Sequence, residues 1–179
     1  MPASVRPFLE QEITMAKYIN LFNSHREAAV EALATLPEAK RHDKAIDLFS
    51  NWAEVDPIRA APALQQLPAG IEPSPVYGCV AEKWAQGNVG MASQWVHDLP
   101  AGPSKEAAVS GLVRGLQNDY PTEALTWAAT LADPATRSER IRGVISATPL
   151  ERRAEVEAAL RALPLPPAEM ETLQTPPQR

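Results

Sequence analysis

Apolar residues recur along this chain with two nested periods. The longer is set by leucines. Leu36, Leu67, Leu99, Leu131 and Leu163 stand 31 or 32 residues apart, and all but Leu131 are followed directly by proline. At Leu131 the step reads Leu131-Ala132-Asp133-Pro134. A fixed interval of this size is the mark of stacked supersecondary units, each burying its apolar face on the next.

The shorter period appears when positions are counted back from each leucine. Twenty-two back stand Ala45, Tyr77, Val109 and Ile141; nineteen back, Leu48, Val80, Leu112 and Val144. Eighteen back stand Phe49, Ala81, Val113 and Ile145; fifteen back, Trp52, Trp84, Leu116 and Thr148. The spacing i, i+3, i+4, i+7 is one stripe of an amphipathic helix, here called helix A. Nearer the leucine a second stripe follows. It runs through Ala60, Ala92, Ala124 and Val156, then Ala63-Leu64, Trp95-Val96, Trp127-Ala128 and Ala159-Leu160. This is helix B. Ala29, Ala32, Leu33 and Leu36 bring an N-terminal unit into the same register.

The punctuation predicts joints near residues 37, 56, 68, 88, 100, 120, 133, 148 and 164. Asp56-Pro57, Ser74-Pro75 and Asp133-Pro134 read as an N-cap followed by proline at the first helical position, where no amide bond is lost. Ser24 with Glu27, and Thr136 with Glu139, have capping-box spacing. Gly70 and Gly102 suit turns after the Leu-Pro steps. Pro62 should disturb its helix B. Thr148-Pro149 predicts a shortened helix A in the last unit and a long helix B near 149–163, whose charged outer face suits a C-terminal cap. No period-2 strand pattern occurs. The fold class expected is all-α: a right-handed solenoid of about five α-hairpins, roughly 32 residues each. The units run 7–37, 38–69, 70–101, 102–133 and 134–164, within one domain of residues 1–164. A Pro-rich tail, 165–179, follows, with one turn of helix near Glu169–Leu173.

Composition narrows the classes of function. The net charge of −5 lacks the basic stripe that phosphate binding demands, so nucleic acid is not an expected partner. No run reaches the roughly 20 apolar residues of a membrane span. A single cysteine, Cys79, excludes an internal disulfide framework and suits a reducing, cytoplasmic location. The N-terminus lacks a basic stretch leading into an apolar core. A monomer is expected.

The segment Asn51-Trp52-Ala53-Glu54-Val55-Asp56-Pro57, with Ala60-Ala61 and Leu67-Pro68-Ala69-Gly70, resembles a degenerate bacterial tandem α-hairpin repeat. Its pattern is approximately W-A-x-x-D-P, alanine, tryptophan, then L-P-x-G. Trp84-Ala85, Ala92, Trp95 and Leu99-Pro100-Ala101-Gly102 form a second copy, and a third keeps Trp127. The resemblance covers about residues 38–165. It implies paired antiparallel helices stacked like tetratricopeptide or HEAT repeats and a role in interaction, without catalytic residues.

Candidate chemistry is sparse. The four tryptophans occupy stripe positions and read as core, not as a ligand platform. His25, His42 and His97 fall in different units without metal-ligand spacing, so neither metal, cofactor nor acid–base catalysis is expected. Cys79 reads as a packing residue. Gly111 and Gly115 lie mid-helix with no P-loop lysine after them, and close approach of neighbouring A helices is the expected reason for them. The expected function is a non-catalytic protein- or peptide-binding scaffold using a groove lined by helix A. Glu82, Lys83, Arg114 and Arg142 lie beside the apolar stripe and are the candidate partner-binding residues. Two alternatives stand: a structural module of a larger anchored or secreted protein, and a helical-repeat enzyme or nucleic-acid reader.

Overall fold

The computed structural model describes residues 6–174, and the side chains of residues 12–173. All regular structure among them is helical. The A helices are α1 (Arg6–Ser24), α3 (Glu38–Val55), α5 (Pro73–Gly87), α7 (Pro103–Leu116) and α9 (Pro134–Ala147). The B helices are α2 (Arg26–Ala32), α4 (Pro57–Ala63), α6 (Val89–Asp98), α8 (Pro121–Ala128) and α10 (Arg153–Ala162). An eleventh described helix, α11 (Pro167–Gln174), follows. Every joint falls within a few residues of its predicted place.

The termini show why. Pro57, Pro73, Pro103, Pro121 and Pro134 each open a helix, giving up an amide that would have had no partner. Asp56 accepts from the Arg59 amide at 3.2 Å, Asn88 from Met91 at 3.0 Å and Asp133 from Thr136 at 2.8 Å. Such caps contribute about 1 kcal/mol each. Gly70, with φ of 87°, takes the left-handed turn after Leu67-Pro68 that a side chain would resist. Pro62 lies inside α4, which tightens into a 3₁₀ turn at Leu64–Gln66 directly after it.

Four local expectations are corrected. The cap of α5 is Glu72, which accepts from Ser74 N and Oγ; Pro73, not Pro75, is the first helical residue. Ser24 ends α1, donating its hydroxyl to the Asn20 carbonyl at 2.7 Å, so no capping box forms with Glu27. Thr136 is three residues inside α9 and bonds to the Asp133 carboxylate, which does the capping instead. Thr148 caps nothing. Its hydroxyl donates back to the Val144 carbonyl at 2.7 Å, α9 keeps the same 14 residues as α7, and helix B begins with a 3₁₀ turn at Leu150–Arg152.

The core follows the two stripes. Ala45, Leu48, Phe49, Trp52, Val80, Ala81, Trp84, Leu112, Val113, Leu116, Ile141 and Val144 are buried on the A helices. On the B helices Ala60, Leu64, Ala92, Val96, Ala124, Ala128, Val156 and Leu160 are buried. Trp95 and Trp127 are half-buried, less than the largely buried Trp127 that its stripe position predicts. They stand four residues before the leucine, on the flank of a stripe narrower than the sequence suggests.

Each B helix of the first four pairs folds back on its own A helix, and α3 packs on α5, α5 on α7, α7 on α9 and α9 on α11. The α5–α7 contact is the tightest. A Cβ built on Gly111 would lie 1.9 Å from the Gly78 carbonyl oxygen, and one on Gly115 would lie 2.6 Å from that of Glu82. Only backbone fits there. At Gly143 the nearest atom to a Cβ would be a side-chain oxygen of Gln117 at 3.7 Å, so the α7–α9 contact leaves room.

Residues 167–174, expected within the tail, form α11, longer than the single turn foreseen. Arg137 of α9 grips Glu169 in a two-pronged ion pair, Nε to Oε1 at 2.9 Å and Nη2 to Oε2 at 2.6 Å, and Leu173 is buried. These bonds, chiefly that from Arg137, hold the Glu169 carboxyl below the usual carboxylate range.

Two predictions follow from this packing. Gly111→Ala should destabilise the chain by about 3 kcal/mol, because the backbone of α5 must move. Gly143→Ala should be neutral or stabilising by up to about 1 kcal/mol, since a mid-helix glycine is removed without a clash. Denaturant unfolding of the pair checks this. The second concerns acid. A carboxyl with a lowered folded-state pKa adds stability above its unfolded pKa of about 4.3, and that stability is lost as pH falls through the folded value. Amide exchange in α11 should therefore accelerate selectively below about pH 4. In Glu169→Gln it should be fast already at neutral pH.

Candidate functional site

The four candidate residues lie on A helices, off the buried stripe. Seventeen residues before each repeat leucine stand Ser50, Glu82, Arg114 and Ser146. The structure brings the middle two together: Arg114 Nε donates to Glu82 Oε2 at 2.7 Å, from α7 to α5. Each side chain keeps about a third of its surface exposed, 33% for Arg114 and 30% for Glu82. The pair is partly shielded and internally neutral. Lys83, half-buried on α5, makes no recorded polar contact among the described residues. Arg142 is exposed on α9 and reaches the Thr172 carbonyl of α11 at 3.4 Å. The neighbouring row, twenty-one before each leucine, is not a continuous surface. Gly78 and Ser110 are buried within the contacts between A helices, leaving Ile46 and Arg142 at its ends.

The aromatic residues divide by position. Trp52 and Trp84 are buried at 2% and 7% exposure. Trp84 lies against Trp95, with ring centroids 5.6 Å apart. Tyr77 stacks on Trp95, with ring centroids 6.0 Å apart and planes at 13°. The three rings join α5 to α6. Trp95 is half-buried, whereas Trp84 is buried.

The Cys79 thiol is half-buried and donates to the Val76 carbonyl at 3.1 Å, and burial pushes its pKa up, away from a reactive thiolate. His25 and His97 are exposed, the latter 3.1 Å from the Asp98 carboxylate. Among the described residues no group of three or more His, Cys, Asp or Glu is placed to hold a metal ion. No described helix is long and apolar enough to cross a membrane.

One feature went unread in the sequence. Between α9, α10 and α11 lies a cavity of about 530 Å³, walled by Ile145, Val156, Leu160 and Leu173. Thr148 also lines it, and Arg153, Glu157 and Arg161 stand at its polar side. Its signal was present in the repeat alignment: Thr148 occupies the place held by Trp52, Trp84 and Leu116 in the preceding units. A shallower groove, lined by Met15, Tyr18, Ile19 and Phe22 with Lys44 and Asp47, runs between α1 and α3. There the buried Tyr18 hydroxyl donates to the Lys44 carbonyl at 2.9 Å, fastening the two helices.

No protein-family model matches the chain, and neither a curated protein nor a solved structure matches it.

The division among the tryptophans makes a prediction. Trp84→Ala should cost about 3–5 kcal/mol, the range for deleting a buried indole. Trp127→Ala should cost clearly less, on the order of half that, because its indole already meets water. Equal losses on thermal or denaturant unfolding would contradict this account of the B-helix flank.

Proposed function

We propose that this chain is a non-catalytic scaffold that binds a protein or peptide, built as a short solenoid of α-hairpins with its A helices towards the partner. One observation carries the reading. Residues about one repeat apart in sequence touch in space. Glu27 pairs with Arg59, Glu82 with Arg114 and Arg137 with Glu169, and Arg152 donates to the Asp119 carbonyl at 3.0 Å. Such contacts are what a one-dimensional stack of like units requires. From α3 to α7 successive A helices pack firmly on one another, more than α2 on α4, α4 on α6 or α6 on α8, which favours curvature with the A side inward over that stretch. An inward face of rigid helices suits an elongated partner.

The charged row on this face would orient the partner, since exposed charges act mainly on encounter rate and salt dependence. Arg114 is already committed to Glu82, so a single reversal would set two carboxylates side by side. The clean perturbation is the exchange Glu82→Arg with Arg114→Glu, which keeps the ion pair and inverts the local field. It should leave the melting temperature nearly unchanged and weaken partner binding by about tenfold at low salt, equivalent to roughly 1.4 kcal/mol. The partner is found by photo-crosslinking from Lys83 or Arg142 in a lysate of the native cell. Crosslinks from Gln94 and Glu123 on the B side, with none from the A side, would show that the opposite face binds.

A further inference from the structure

Each of the three sequence units before the last supplies at least one indole to its hairpin. Fifteen and four residues before the leucine, the second unit carries Trp52 and Ala63, the third Trp84 and Trp95, the fourth Leu116 and Trp127. The fifth carries Thr148 and Ala159. Where the third unit has two indoles in contact, the fifth has the cavity between α9, α10 and α11. Thr148 lines it, and so do Val156 and Leu160, which bracket Ala159 on α10.

We propose that this cavity seats a tryptophan side chain presented by an acidic segment of a partner protein. The proposal rests on the scaffold reading and deepens it by naming the partner's anchor. Three features favour this occupant. The volume of about 530 Å³ falls within the range of pockets that enclose organic groups. One side of the lining is aliphatic, and the Thr148 hydroxyl that also lines it has already given its proton to the Val144 carbonyl, so its oxygen can only accept. A buried indole N–H needs such an acceptor. The mouth is basic in a chain of net charge −5: Arg153 is exposed and makes no recorded ion pair, and Arg161 meets Glu157 only at 3.3 Å. Acidic residues flanking the tryptophan would find both guanidinium groups. A large aromatic anchor in an apolar pocket with a charged rim is the arrangement that concentrates binding energy at protein interfaces.

The test uses the full chain, with methyl NMR as readout. Three probes are titrated: a capped pentapeptide Asp-Glu-Trp-Glu-Asp, the same peptide with alanine for tryptophan, and N-acetyltryptophanamide. The tryptophan peptide should shift the methyls of Ile145, Val156, Leu160 and Leu173, and the alanine peptide should not. It should bind at least about fivefold more tightly than N-acetyltryptophanamide at low salt, and Arg153→Gln with Arg161→Gln should erase that gain. Ala159→Trp, which restores the indole of the third and fourth units, should abolish the shifts. Thr148→Leu is the second filling variant should the first not fold. Equal binding of the two peptides, or shifts confined to other methyls, overturns the proposal. N-acetyltryptophanamide binding as tightly as the peptide also overturns it, in favour of a free small aromatic ligand. A protein captured equally by wild type and Ala159→Trp would sink the anchor and leave the scaffold standing. A peptide seated in the cavity with no protein captured from any face would overturn both, leaving only a pocket for an aromatic group.

Discussion

The arrangement of this chain hinges on how closely α5 and α7 approach. Two glycines on α7 let the helices meet backbone to backbone, with Gly111 against the carbonyl of Gly78 and Gly115 against that of Glu82. Each mid-helix glycine costs about 1 kcal/mol of helix propensity. The close approach offsets that cost by bringing the flanking stripes together, so that Val80, Ala81, Leu112 and Val113 are buried at 0–1% exposure. It also fixes register. With Gly111 locked beneath Gly78, Arg114 one turn on is delivered to Glu82. The ion pair reports the register more than it creates it, since a half-shielded pair contributes little alone.

The same contact, varied, explains differences along the chain. Position twenty before the repeat leucine holds Cys79 on α5, Gly111 on α7 and Gly143 on α9. Cys79 meets the Ile46 carbonyl of α3 through its sulfur at 3.9 Å, a looser version of the Gly111–Gly78 contact one unit later. Gly143 meets nothing as near. The tight α5–α7 pair thus sits at the middle, and the packing relaxes towards both ends. At one end the shallow α1–α3 groove opens; at the other, the cavity beneath α11. The cavity lies where Thr148 and Ala159 stand at positions that carry larger side chains in other units.

Much of this was legible in the chain. The two stripes and the prolines placed the helices and their joints, because both signals are local: a period of 3.6 residues and a missing amide. The exposed flank of helix B was not legible, since a tryptophan beside a stripe looks like one within it until the neighbouring helix is placed. Capping was half legible. Asp56 and Asp133 fell where proline followed, whereas Ser74 lost to Glu72 because three closely spaced residues, Glu72, Pro73 and Ser74, offered two registers for the same turn. Close approach was foreseen for the glycines in general, but only three-dimensional context separates Gly111, which is locked, from Gly143, which is not. For the candidate row, the sequence placed Glu82 and Arg114 at one repeat position without indicating that they neutralise each other.

The cavity illustrates a different kind of limit. Its cause, Thr148 and Ala159 in place of indoles, could be read in the alignment, but an absent side chain gives no signal of whether the backbone closes over the space. Here it does not close, and α11 supplies part of the wall. Its position is set by Arg137 and Ser138 bonding Glu169 near its first turn, while Leu173, one turn later, reaches the cavity wall. Charge-assisted bonds fix the first turn of α11 on α9, and Arg142 reaches the Thr172 carbonyl beside Leu173. The bonds that dock α11 on α9 and the wall it gives the cavity through Leu173 thus lie about one turn apart on the same helix.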